Sequence, residues 1–163
     1  MSKKHSAEWI NLYRKLYGTN AYVLKFYNIY GETSGKGAVY LFCKAALGDG
    51  NVTVYGDGSH ERDYTHVSDV AKLMLRIVND ELAPGDYDVG TGIGTTTNEL
   101  ISKVEAVSGR KLNVKREDYV LPEAKILIAK GTALINPINL GEGIGRVIDS
   151  LRNESKRHFT STS

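Results

Sequence analysis

The stretch VTVYGDGSHERDYTHVSDVA, residues 52–71, passes from strand to turn to helix within twenty positions. Its first residues are rich in β-branched side chains, which favours a short β-strand. Gly56 and Gly58 then indicate a turn, and residues 62–67 predict a second extended segment. From Ser68 the apolar residues recur at helical spacing. The stretch therefore predicts a strand, a turn, a strand and a helix in that order.

The same alternation continues on both sides of this stretch. The predicted helices are 6–18, 37–48, 68–80, 95–109 and a last one that carries Ile144, Val147, Ile148 and Leu151. The predicted strands are 21–31, 52–58, 62–67, 85–92 and 111–118. Thr96 and Glu99 have the spacing of a capping box at the start of the fourth helix. Strands that alternate with helices predict an α/β fold with at least some parallel pairing.

Composition bounds the class of protein. A chain of 163 residues with 41% hydrophobic and 25% charged residues is typical of one globular domain with its own core. A net charge of +2 gives no reason to expect nucleic acid or a membrane as a partner. No apolar run reaches membrane-spanning length and no secretory signal is recognised, so we expect a cytoplasmic protein.

Cysteine and histidine usage predicts no metal site. Cys43 is the only cysteine and lies among apolar residues, so we expect a buried structural thiol. The four histidines are scattered along the chain, and each is expected to be a surface or packed residue rather than a ligand. They are His5, His60, His66 and His158.

Residues 90–94, GTGIG, form a glycine-rich segment between a predicted strand and a predicted helix. A dinucleotide-binding turn has the spacing G-x-G-x-x-G, which this segment does not have. The pattern therefore favours a tight strand-to-helix connection over a cofactor-binding turn.

Four segments occur in an order and spacing that resemble the C-terminal half of the extended short-chain dehydrogenase/reductase family. They are LKFYNIYG (24–31), residues 52–71, YDVGTGIGTTTNELI (87–101) and NPINLGEGI (136–144). The resemblance is to the NAD-dependent epimerases and dehydratases of nucleotide sugars. It implies the late strands and helices of a Rossmann-like doubly wound sheet plus the small C-terminal substrate-binding region. Residues 1–154 would form this portion, and residues 155–163 a polar tail.

In that family a catalytic tyrosine lies four residues before a lysine on one helix, so both side chains share a face. SKKHSAEW, residues 2–9, resembles the stretch that begins at this lysine. The resemblance thus implies Lys3 as the catalytic and cofactor-binding lysine, with the tyrosine two residues before Met1. The N-terminal NAD-binding part would also lie before Met1. NAD is therefore expected in the intact family and not on this chain alone, where Lys3 would be a solvated helix lysine.

The resemblance also implies residues that bind substrate. Arg62 is similar to the arginine that contacts the diphosphate of the nucleotide sugar. Arg116 lies where a second such arginine is expected, although the family's Arg-x-Gly-Asp is here Arg-Glu-Asp. Arginine suits this task because its planar donors can bind two phosphate oxygens together. A surface arginine remains the alternative for each position.

Three further positions are implied in the same way. Asn28 matches an asparagine that reaches substrate, with a turn-forming asparagine as the alternative. Val54 and Tyr55 match the segment that packs against the base, and could equally belong to the core. Asp69 is expected at a helix N-terminus rather than on a ligand. Residues 119–135 resemble the family poorly and give no expectation of how the pocket closes.

The leading hypothesis is a partial nucleotide-sugar epimerase or dehydratase that is inactive alone and binds a nucleotide diphosphate sugar. It would self-associate or be completed by a separate N-terminal half, since the lysine helix of the family contributes to a dimeric helical bundle. The alternatives are a non-catalytic nucleotide-sugar binding or interaction module, and a remnant with no selected activity. The residues do not distinguish epimerase from dehydratase or reductase.

Overall fold

The computed structural model describes residues 2–119, 122–130 and 135–160, with side chains up to Lys156. The helices are α1 (Ser2–Tyr17), α2 (Ala38–Leu47), α3 (Val67–Val78), α4 (Thr97–Ser108) and α5 (Leu140–Thr160). The strands are β1 (Val23–Phe26), β2 (Asn28–Tyr30), β3 (Asn51–Tyr55), β4 (Glu61–His66), β5 (Asp86–Val89), β6 (Gly94–Thr96), β7 (Asn113–Glu117) and β8 (Ile126–Leu127). This mixture of helices and mainly parallel strands confirms the predicted α/β class.

Parallel pairing joins parts of the chain that are distant in sequence. β1 pairs with β5, β2 with β4, and β3 with β7, all in parallel. β4 also pairs with β6 in antiparallel orientation and with β8 in parallel orientation. Parallel strands need a long crossover connection, and the helices between them supply it. The third pair brings the end of β3 beside the end of β7, which places the residues after both strands near each other.

The main core lies between the helices α2, α4 and α5 and the strands beneath them. Its fully buried residues include Val39, Cys43, Val104 and Ile144. Cys43 has no exposed surface, and burial raises the pKa of its thiol to about 12. The thiol is therefore neutral at neutral pH, which confirms the expected buried structural cysteine.

Some boundaries differ from the sequence-based expectation. The strand expected over 21–31 is two short strands, because β1 and β2 pair with different partners on either side of Tyr27. The GTGIG segment leads into β6 before α4 begins. The predicted capping box of α4 is confirmed, with Thr96 accepting from the backbone of Glu99.

The two ends of the described chain are helical. α1 already begins at Ser2, and none of its residues is buried. α5 continues to Thr160, into the segment expected as a polar tail, whose residues 161–163 lie outside the described part. Within the described residues, each helix is too short or too polar to span a lipid bilayer.

Candidate functional site

A cavity of about 570 Å³ lies between β2, the last residues of β3, β4 and the first turn of α2. Four of the residues expected to bind substrate line this cavity: Asn28, Val54, Tyr55 and Arg62. The basic side chains of its lining are Lys36 and Arg62, and the carboxylate is that of Glu123. The site thus combines apolar walls with a small number of charged groups, as ligand pockets commonly do.

Arg62 is the second residue of β4, and its side chain is only 13% exposed. Its Nη1 donates to the carbonyl oxygen of Glu61 at 2.9 Å and to that of Lys125 at 3.4 Å. Its Nη2 donates to Oε2 of Glu123 at 2.9 Å. These contacts hold the guanidinium in one place at the wall of the cavity, since three acceptors fix its planar donors.

The other three residues contribute different surfaces. Asn28 opens β2, and its Nδ2 donates to the carbonyl oxygen of Asp63 at 3.4 Å. Val54 is buried and belongs to the main core, so its contribution to the cavity wall is apolar. Tyr55 is half-exposed and ends β3. The aromatic ring of Tyr55 is therefore available to a ligand in the cavity.

Arg116 and Lys3 do not line this cavity. Arg116 lies on β7 opposite Val54, and its guanidinium donates to the carbonyl of Gly56 at 3.4 Å and to Oδ1 of Asn98 at 3.0 Å. Lys3 is exposed on the first turn of α1. A role for Arg116 in diphosphate binding and for Lys3 in catalysis stays a prediction.

Two aromatic residues that the sequence did not single out for this site stack at the cavity. The rings of His60 and Tyr119 are 4.6 Å apart and nearly parallel, and the Tyr119 hydroxyl lies 2.9 Å from Nδ1 of His60. Burial, followed by the charge of Glu123, raises the pKa of Tyr119. The phenol is therefore neutral at neutral pH and can donate or accept a hydrogen bond.

The alternation of side chains along an extended segment could have predicted part of this lining from the sequence. His60, Arg62 and Tyr64 all line the cavity. They are alternate residues of one extended segment, so their side chains point to the same face as that of Arg62. Tyr119 and Glu123 carried no such signal, because they lie beyond β7 and reach the site only through the fold.

The opposite face of β4 holds the glycine-rich GTGIG segment. The buried carboxylate of Asp63 accepts hydrogen bonds from the backbone amides of Thr91 and Gly92, both at 2.9 Å, and from that of Ala129 at 3.2 Å. The Thr91 hydroxyl donates to it at 2.6 Å. A Cβ on Gly90 would overlap this carboxylate. The segment is thus a tight connection whose backbone surrounds the buried carboxylate of Asp63. This agrees with the interpretation that its glycine spacing favours.

A histidine and an aspartate behind the cavity fix the start of α3. Nδ1 of His66 accepts from the backbone amide of Ser68 at 3.2 Å, and burial lowers the pKa of His66 while Glu32 opposes that effect. Asp69 is buried in the first turn and accepts from the backbone amide of Ile138 at 3.0 Å. Within the described residues there is no group of three His, Cys, Asp or Glu that could hold a metal ion.

A family model decides the relationship. The model of the NAD dependent epimerase/dehydratase family matches residues 1–90, more than half of the chain. The chain belongs to this family. Membership agrees with the resemblance that the Arg62 stretch and its neighbours carry.

Individual members of the epimerase/dehydratase family match over nearly the whole chain. It is 30% identical to a putative UDP-glucose 4-epimerase of Methanocaldococcus jannaschii, over 96% of this chain and 53% of that protein. The structure of the Thermotoga maritima UDP-glucose 4-epimerase with UDP-glucose covers 90% of this chain with 25% identity and a TM-score of 0.80. The Thermus thermophilus UDP-glucose 4-epimerase with NAD does so with 27% identity and a TM-score of 0.79.

This chain spans about half the length of the relatives it matches, 50% and 51% for the two solved structures. The family name implies NAD as a cofactor. The GTGIG segment is the glycine-rich turn whose fit to the diphosphate of NAD can be examined in this structure. Backbone amides that bind a diphosphate must be free to donate to it. Here the amides of Thr91 and Gly92 already donate to Asp63. This turn therefore does not fit the diphosphate of a dinucleotide.

Proposed function

We propose that this member of the epimerase/dehydratase family holds the nucleoside diphosphate portion of a nucleotide sugar in the cavity beside Arg62. The observation that supports the proposal is the largely buried side chain of Arg62 at the wall of a cavity of about 570 Å³. A fixed cation in a partly desolvated site binds an anionic ligand more strongly than one in open water. The Thermotoga maritima relative with UDP-glucose is consistent with this ligand class.

The other lining residues suit the remaining parts of such a ligand. The half-exposed ring of Tyr55 offers a flat surface for a base, and Val54 beside it is apolar. The side-chain amide of Asn28 can donate to or accept from sugar or ribose hydroxyls. Lys36 adds a second positive charge at the exposed part of the lining.

For the whole reaction we propose that this chain supplies the substrate-binding half of an NAD-dependent nucleotide-sugar epimerase or dehydratase. NAD and the catalytic tyrosine would come from another part of the enzyme, in the same or a separate chain. Lys3 would stand beside that tyrosine, and its charge would favour the ionised phenol that acts as a base. Arg116 would join the diphosphate site on ligand binding. By itself the chain would bind substrate without turning it over.

The test is a ligand-detected NMR titration with UDP, using uridine as the ligand that lacks phosphate. We expect UDP to bind more tightly than uridine. Arg62→Ala should lower UDP affinity by about ten- to a hundredfold, because charge-assisted contacts contribute roughly 1.5–3 kcal/mol and 1.4 kcal/mol is tenfold. Arg62→Lys should restore only part of the loss, since a point charge does not replace the planar donors.

Arg152→Ala is the matched control, because Arg152 pairs with Asp149 on α5 and does not line the cavity. It should leave UDP affinity unchanged. Equal binding of uridine and UDP, or no effect of Arg62→Ala, would show that Arg62 does not bind a diphosphate.

A further inference from the structure

Arg62 already binds an anion that belongs to the chain itself. Its Nη2 donates to Oε2 of Glu123 at 2.9 Å, and the two residues are 61 positions apart in sequence. The Arg62 side chain is 13% exposed, whereas the Glu123 side chain is 58% exposed. The pair thus joins a fixed cation to a carboxylate that faces solvent at the rim of the cavity.

The backbone around Glu123 is held close to Arg62. We call residues 122–127 the strap. β8, which ends the strap, pairs with β4 through Glu61 opposite Ile126 and Arg62 opposite Leu127. The carbonyl oxygen of Lys125 also accepts from the backbone amide of Glu61 at 2.9 Å. The strap therefore fixes the Cα of Glu123 near the cation, while its side chain can turn away into solvent.

A diphosphate at Arg62 would need the donors that Glu123 now engages. If both anions stayed, two like charges would lie within a few ångströms of each other, which is unfavourable. The Glu123 side chain is 58% exposed, so water can solvate the carboxylate once it leaves Arg62, and a stronger anion can displace it. The exchange is favourable only for a ligand that carries more negative charge than the carboxylate it replaces at Arg62.

We propose that Glu123 is a specificity-determining residue that competes with the ligand's phosphates for Arg62. It lowers the affinity of every phosphate ligand that must displace it by a similar factor, and it leaves the affinity for an uncharged nucleoside unchanged. The inference rests on the proposed function, because it takes the cavity as a nucleoside diphosphate site.

The test compares UDP, UMP and uridine on the wild-type chain and on Glu123→Gln, which removes the charge and keeps the shape. We expect Glu123→Gln to bind UDP and UMP about three- to tenfold more tightly, by similar factors, with no change for uridine. The gain should shrink as salt is added, because salt weakens the Arg62–Glu123 ion pair that the phosphate must break.

Glu142→Gln is the matched control, since Glu142 is also an exposed carboxylate paired with an arginine, Arg146, at 2.7 Å. It should leave all three affinities unchanged. Unchanged or weaker UDP binding by Glu123→Gln overturns the inference, and weaker binding of uridine as well would mean that Glu123 contacts the nucleoside.

The two proposals fail differently. If Arg62→Ala weakens UDP binding while Glu123→Gln changes nothing, only the role of Glu123 is wrong. If UDP binds neither the wild-type chain nor Glu123→Gln, both proposals are wrong, because the cavity then has no site for which the carboxylate could compete.

Discussion

Arg62 and Asp63 are neighbours on β4 whose side chains contact different parts of the molecule. Successive side chains of a strand point to opposite faces, so one of the pair lines the cavity and the other binds the GTGIG segment. A disturbance of the Asp63 contacts would shift the same backbone that positions Arg62. The two adjacent charges therefore couple the cavity wall to a loop behind it.

Asp63→Asn should destabilise the chain by about 2–4 kcal/mol. The amide has one acceptor oxygen in place of two and presents its NH2 group to the other donors, so backbone amides among Thr91, Gly92 and Ala129 lose their partner at this buried position. Each donor left unsatisfied costs about 1–3 kcal/mol. Urea denaturation followed by circular dichroism measures the loss in the free energy of unfolding.

Asp57→Asn is the control for this substitution, because Asp57 is exposed and accepts from the backbone amide of Ser59 within a local turn. It should cost less than about 1 kcal/mol. If both variants lose the same free energy of unfolding, the buried contacts of Asp63 contribute no more to stability than the exposed contact of Asp57.

At the residue scale, the family resemblance implies Asn28, Val54, Tyr55 and Arg62 as substrate-binding residues, and these four line one cavity. Their binding of substrate stays a prediction. Their positions follow from short motifs on β2, β3 and β4. Glu123 could not be found in this way, because it reaches Arg62 only through the pairing of β8 with β4. Contacts between residues 61 positions apart carry no local signal in a single sequence.

At the scale of elements, the turn after β3 leaves no room for a side chain at Gly56. Gly56 has φ of 72°, and a Cβ at this position would overlap the ring of Tyr119. Glycine is needed both for the positive φ and for the close approach of the ring. The turn thereby fixes where Tyr119 stacks on His60 at the cavity.

Gly56→Ala should therefore lower UDP affinity several-fold as well as stability by about 1 kcal/mol or more. The strained φ accounts for the loss of stability, and the displaced Tyr119 ring accounts for the loss of affinity. Thermal unfolding and the UDP titration measure the two effects separately.

Gly109→Ala is the matched variant, because Gly109 has φ of 70° at the end of α4 with nothing within 4 Å of an added Cβ. It should lose similar stability and keep its UDP affinity. If Gly56→Ala also keeps its affinity, the position of Tyr119 does not matter for binding.

The positions of helices could be predicted where apolar residues recur at helical spacing over several turns, or where a capping motif marks the first turn. α4 begins at its predicted capping box, and α3 follows its predicted spacing. The division of 21–31 at Tyr27 depends on which strands lie beside it, and β8 has only two residues. Both features are set by tertiary pairing and have no periodic pattern of their own.

For the whole molecule, the exposed face of α1 predicts self-association. Trp9, Leu12, Tyr13 and Leu16 are all exposed on this helix, which has no buried residue. Contiguous apolar surface of this kind favours association in water. Sedimentation at tens of micromolar should detect dimers or larger species, and the double substitution Leu12→Ser with Leu16→Ser should shift the chain toward monomer.

A double substitution on α3, Leu75→Ser with Val78→Ser, controls for a general gain in polarity, since both residues are exposed apolar side chains on another helix. It should leave the sedimentation pattern unchanged. A monomeric wild-type chain at the same concentration would contradict the prediction.

The whole chain should also lack appreciable affinity for NAD. The amides of the GTGIG segment are engaged by Asp63, so they are not free for a dinucleotide diphosphate. Isothermal titration with NAD should give no heat of binding, and no NAD reduction should follow when UDP-glucose is added. A dissociation constant in the micromolar range would contradict this expectation.

The pairing of β3 with β7 also has a kinetic consequence. Asn51 lies opposite Asn113, so the paired residues of the two strands are 62 positions apart along the chain. At a synthesis rate of about 5–20 residues per second, β3 waits roughly three to twelve seconds on the ribosome before its partner emerges. During that interval Val52 and Val54 have no strand β7 beside them. Folding of this chain should consequently be slow, as it is for other topologies dominated by contacts distant in sequence.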